Sequence, residues 1–129
     1  MARTLETGWH YVLLAIHNDS RQALELCALS QKPIEYIQQP AQFLPAKAKT
    51  NAVIKIRTMR KKIEGFIGYA PEGRPTDTLY SIYFANPIDG AKTYNVDVMT
   101  WDEEHIGQVH DLGAREKDRT HAEVHLCKY

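Results

Sequence analysis

Short apolar runs with a period of two, each ended by proline, glycine or an Asn/Asp turn, constrain this chain more than any other feature. Neighbouring side chains on a strand point to opposite faces, so such alternation buries one face of a sheet and leaves the other to solvent. Ala52, Ile54 and Ile56 alternate with Val53, Lys55 and Arg57. Tyr80, Ile82 and Phe84 share a face, as do Val96 and Val98, and then Ala122, Val124 and Leu126. Trp9 to His17 is almost continuously apolar and reads as a well-buried strand.

The breaks set the order of the elements. Asn18-Asp19-Ser20-Arg21 reads as a turn, because Asn and Asp bond their own backbone, and with Ala23 to Leu29 it suggests a hairpin. Pro33, Pro40 and Pro45 leave 31–49 mostly loop, with an extended piece over 34–38. Gly65 and Gly68, inside the run from Ile63 to Tyr69, mark a bulge or a close backbone approach. Thr100-Trp101-Asp102-Glu103 fits a capping box and predicts a short helix over 101–108. Roughly six or seven strands at this spacing argue an all-β sandwich with one or two short flanking helices.

Size and charge exclude several classes. The 129 residues suit one domain, over 9–129, behind a short extension over 1–8. Sixteen basic residues balance sixteen acidic ones, which argues against nucleic acid as the partner. No apolar run reaches the roughly 18 residues of a spanning helix. Met1 to Gly8 lacks the apolar region of a signal peptide, so a cytoplasmic protein, or one released without a leader, is expected. Cys27 and Cys127 make neither a disulfide framework nor a zinc knuckle, and can pair only if their strands are neighbours.

Candidate chemistry is sparse. His121 and His125 are four apart, but on a strand that spacing separates them by roughly 13 Å, too far to share an ion. His105 and His110 lie near Asp111 without a further carboxylate or cysteine at ligand spacing. Hydrogen-bonded or exposed imidazoles are the plainer reading, and no metal site is expected. The cysteines fall on strands rather than at a helix N-terminus, where a thiolate would be stabilised. Asp102, Glu103 and Glu104 suit a helix start better than an acid/base pair. No catalytic residue, cofactor or enzyme activity is expected.

Two surface features stand out. Between Glu35 and Glu64 there is no acidic residue, whereas Lys47, Lys49, Lys55, Arg57, Arg60, Lys61 and Lys62 all fall there. Such a stretch attracts anionic headgroups, each charge adding about 1 kcal/mol near a membrane, although a solvated strand face explains it equally well. Arg60, Lys61 and Lys62 are its candidate membrane-facing tip. The aromatics are the second feature, since tyrosine and tryptophan suit membrane interfaces and sugar stacking. Most belong to the core. Tyr83, Tyr94 and Trp101, which flank the Pro87 loop, are the candidates for exposure.

Four segments give the chain a family likeness. Val12 to Ser20 (VLLAIHNDS), Gly65 to Tyr69 (GFIGY), Tyr83 to Asp89 (YFANPID) with Tyr94-Asn95-Val96, and His121 to Leu126 (HAEVHL) follow in an order that resembles the actinoporin-like cytolysins. The resemblance spans roughly 9–129 and implies a β-sandwich that binds lipid headgroups. It places Tyr83, Pro87, Tyr94 and Trp101 at the ligand, and for a sugar ligand Asp89 or Asn95 would bond the hydroxyls. The chain departs from the family where a headgroup hydroxyl donor aligns with Ala85. It departs again ahead of Trp9, where the pore-lining amphipathic helix has no counterpart, so pore formation by the family's route is not expected. Fungal fruit-body lectins share a related sandwich, and the first two runs resemble aegerolysins more distantly. These relatives imply a membrane lipid headgroup or a glycan as partner. A protein-interaction or effector scaffold, with homo-oligomer formation, is the remaining alternative, since a fold does not dictate function.

Overall fold

Alternation decides which side of each strand meets the core, and pairing decides which strands share it. The computed structural model describes residues 9–31, 34–57, 64–85, 95–112 and 119–128. They form β1 (Trp9–Asn18), β2 (Leu24–Leu29), β3 (Ile34–Gln38), β4 (Phe43–Leu44) and β5 (Lys49–Arg57). Then follow β6 (Glu64–Pro71), β7 (Tyr80–Ala85), β8 (Asn95–Thr100), β9 (His105–Asp111) and β10 (Arg119–Lys128). The first sheet runs β3-β5-β1-β10-β9 and the second β4-β2-β6-β7-β8. Together they make an all-β sandwich. No helix among the described residues is long and apolar enough to cross a membrane.

The facing sides of the two sheets form one core. Val12, Leu14 and Ile16 of β1 lie beside Ile54 and Ile56 of β5 and Val124 and Leu126 of β10. The second sheet contributes Leu24, Ile67, Tyr69, Tyr80, Ile82 and Phe84. Several buried polar groups between and within the sheets are paired, as burial favours. His10 Nε2 meets Thr120 Oγ1 at 2.8 Å. The Tyr80 hydroxyl donates across the core to the Cys127 carbonyl at 2.7 Å, joining the sheets. Two glycines mark places where a side chain does not fit. A Cβ on Gly65 would run into Phe84 and Ile34, and one on Gly107 into Val98.

Two expectations are corrected, and the open question of the cysteines is answered. β1 and β2 do not form a hairpin, because the turn after β1 carries the chain from one sheet to the other. The segment over 101–108 is not a helix, and the described residues contain none. Asp102 Oδ1 accepts the amides of Glu104 and His105, both at 2.9 Å, so it caps a tight turn into β9. Beyond that turn Ile106 and Val109 favour extended backbone. Cys27 and Cys127 are free, since β2 and β10 belong to different sheets.

The change of sheet after β1 is held by one buried carboxamide. Asn18 Nδ2 lies 2.8 Å from the Gln22 carbonyl, 3.1 Å from that of Leu44 and 3.2 Å from that of Pro45. Its Oδ1 accepts the Ser20 amide at 3.1 Å and the Ser20 hydroxyl at 2.6 Å. Asn18→Ala strands several buried partners and is expected to lower stability by about 2–4 kcal/mol, read as a lower urea midpoint. A loss under about 0.5 kcal/mol contradicts this role. Gly107→Ala is expected to cost about 1–3 kcal/mol by overpacking against Val98.

Candidate functional site

Of the residues expected to meet a ligand, Tyr83, Asn95 and Trp101 fall among the described residues. Pro87, Asp89 and Tyr94 lie outside them, as do Arg60, Lys61 and Lys62. Tyr83 sits on the outer face of β7, in register with Phe66 of β6 and Asp97 of β8. The Phe66 and Tyr83 rings are 6.4 Å apart and tilted by 48°. Met99, in register with Ser81, is the next outward residue on β8, and Trp101 follows in the turn beyond. Phe66 is 39 % exposed, Tyr83 37 %, Met99 48 % and Trp101 60 %.

Tyr83 and Trp101 therefore do not flank one loop. Trp101 lies four positions beyond Asp97, roughly 13 Å along extended chain, so the two rings mark opposite ends of a stripe that Met99 bridges. Phe66 and Met99 were not singled out from sequence. Their signal was present in the period of two, since the inward positions Gly65, Ile67 and Val98 push both outward.

Lys49 and Lys55 of the basic stretch lie on β5 of the first sheet, away from this stripe, and Lys47 lies in the connection just before it. The Lys55 ammonium sits 4.2 Å over the Trp9 ring. Lys47, at φ +67°, donates to the Asp19 carbonyl at 2.7 Å. Asp19, Ser20, Arg21, Lys47 and Lys128 line an open cleft of ≈ 500 Å³.

Histidines gather on the outer face of the first sheet. The parallel register of β1 and β10 sets His17 beside His125, and their rings stack at 4.4 Å. His125 Nδ1 lies 2.6 Å from Asp19 Oδ2, and its Nε2 lies 2.8 Å from Glu123 Oε1. Burial opposes charge on this imidazole, but its bonds to Glu123 and Asp19 outweigh that and raise its pKa. The bond from His125 holds the Glu123 carboxyl below the usual range. His110 of β9 meets His125 edge-on at 5.4 Å. His17 Nε2 is buried and has no hydrogen-bond partner among the described residues. His121 and His125 lie four apart on one strand, so the neighbour that His125 gains comes from β1, a pairing no local spacing reveals. Cys127 is a poor nucleophile, because burial pushes its thiol pKa up, helped by the Asp19 charge.

No family model matches the chain, and no curated protein matches it. Among solved structures it is similar to RahU, a protein of aegerolysin-like fold whose crystal structure holds a TRIS molecule. The TM-score is 0.69 at 6 % identity, over 93 % of this chain and 96 % of RahU. At that identity the likeness establishes a related all-β fold.

The turn into β9 gives a pH expectation. His105 Nδ1 lies 2.7 Å from Asp102 Oδ1, and this bond holds the Asp102 carboxyl below its ordinary value. A depressed carboxyl stabilises the fold above its unfolded pKa, and that contribution fades as pH falls through the folded value. The wild type is therefore expected to lose its advantage over Asp102→Asn below about pH 4, in paired thermal melts. Parallel curves for the two proteins across that window would show that the bond contributes nothing.

Proposed function

We propose that this protein is a membrane-surface recognition module, a binder rather than a catalyst, that docks on lipid headgroups through the outer face of β6, β7 and β8. The observation that carries the reading is the stripe of Phe66, Tyr83, Met99 and Trp101. Three exposed rings and a thioether in line form an apolar surface that a water-facing sheet does not need. Aromatic side chains of this kind suit the headgroup region, where one end is apolar and the other wet.

Charge narrows the lipid. Asp97 of β8 is in register with Tyr83, beside the rings, and Lys49 and Lys55 of β5 belong to the other sheet. Aromatic faces next to a carboxylate attract a quaternary ammonium, so a choline headgroup fits better than an anionic one. The actinoporin-type resemblance of the sequence points the same way. The RahU likeness supports the sandwich as the frame for such a surface.

Sedimentation with sphingomyelin/phosphatidylcholine vesicles and with phosphatidylserine vesicles, at low and high salt, tests the proposal. Choline vesicles should retain the protein at both salt concentrations, because the contact is mainly apolar. Trp101→Ala and Tyr83→Ala should each weaken partitioning about tenfold, or about 1.4 kcal/mol, without lowering the melting temperature. Absence of binding to every vesicle ends the lipid reading, and a positive glycan array in that case puts a lectin in its place. Binding to phosphatidylserine alone, lost at high salt, would move the contact to the basic residues.

A further inference from the structure

We infer that His17, Asp19 and His125 form a binding site for a divalent first-row transition-metal ion on the outer face of the first sheet. One ligand atom from each of the three residues lies within 4.8 Å of the others. Zinc bound at about 2.0–2.1 Å by nitrogen and oxygen holds its ligands little more than 3 Å apart, so the cluster must contract by an ångström or so. Side-chain rotation supplies that movement, because Asp19 lies in a turn and all three residues are partly open to solvent.

The two histidines come from neighbouring strands, so the register of β1 and β10 builds the pair and the core fixes it. A metal needs a neutral imidazole whose free nitrogen points at the ion and whose other nitrogen donates to an acceptor. His125 has the acceptor in place, and a metal ion would take the place of the proton that its other nitrogen now shares with Asp19. Its Nδ1 faces the Asp19 carboxylate at 2.6 Å, and its Nε2 reaches Glu123 Oε1 at 2.8 Å. Glu123 thereby acts as the positioning residue. The same carboxylate oxygen stands 3.9 Å from His17 Nε2, the buried nitrogen that has no hydrogen-bond partner among the described residues. A small rotation of His17 would give this orphaned atom the same acceptor and turn its other nitrogen towards the ion.

Donor chemistry sets the class of ion. Two imidazoles and a carboxylate select zinc, copper, nickel or cobalt over calcium or magnesium, which prefer all-oxygen shells. Three protein ligands leave a position open for water or a small anion. Arg21, Lys47 and Lys128 around the adjoining cleft oppose a cation, whereas the Asp19 and Glu123 charges favour it.

Calorimetric titration of the full chain with Zn²⁺ tests the site, with Co²⁺ absorption spectra as a second readout. One ion per chain is expected, together with visible cobalt bands of a four-coordinate site. His17→Ala and His125→Ala should each weaken binding at least tenfold, and Asp19→Asn should weaken it with the fold intact by circular dichroism. His121→Ala, on the same strand but outside the cluster, should leave it unchanged. Absence of Zn²⁺ binding to the wild type overturns the inference whatever the variants do. So does an affinity that survives loss of both His17 and His125.

Discussion

Parallel pairing of β1 with β10 sets the first and last described strands side by side in the middle of one sheet, between β5 and β9. No tight turn can close such a pair, so its alignment rests on the burial pattern rather than on a local connection. The register places Leu14 beside Ala122 and Ile16 beside Val124, all facing inward. A slip of β10 by one residue would turn Ala122 and Val124 to solvent. The same slip would part His17 from His125. The outer-face chemistry of the first sheet is thus specified by the inner-face packing of the same two strands.

Asn18 closes this arrangement at one end. It is the last residue of β1 and points inward, yet it is polar, which is tolerable only because its carboxamide is fully engaged. Its carbonyl partners on Leu44 and Pro45 belong to the segment that leads from β4 of the second sheet back to β5 of the first. One side chain therefore fixes two changes of sheet, which lets a short chain alternate between layers without long connections.

What the sequence revealed follows from this division between local and distant terms. Strand positions were legible because alternation is local, and the inward sets at Tyr80, Ile82 and Phe84 and at Ala122, Val124 and Leu126 are buried as expected. The Gly65 expectation also had a local basis, and its Cα does pack against Phe84 and Ile34. Pairing was not legible. The Asn18 turn and the Asp102 turn look locally like a hairpin and a helix cap, because the same hydrogen bonds serve a chain that turns towards the other sheet. The exposed stripe was half legible, with Tyr83 and Trp101 singled out but Phe66 and Met99 absorbed into their strands. The histidine cluster was out of reach, since His125 lies 106 residues from Asp19 in the chain.

The two outer faces divide the chemistry between them. The second sheet offers rings and a thioether, whereas the first offers imidazoles and carboxylates, and a core two side chains thick lies between. Faces of packed sheets stand about 10 Å apart, so charge bound at one face is felt weakly at the other through intervening protein and surrounding water. A protein lying with β6, β7 and β8 on a bilayer would turn His17 and His125 towards solvent, where an ion has free access. Occupancy of one face can then influence the other only through the stability of the shared core, because each ligand favours the folded state by mass action. That coupling has the same sign for both ligands and involves no change of shape. Any larger effect of metal on membrane binding would require β1 or β10 to shift in register, and the buried set of Val12, Leu14, Ile16, Val124 and Leu126 opposes that shift.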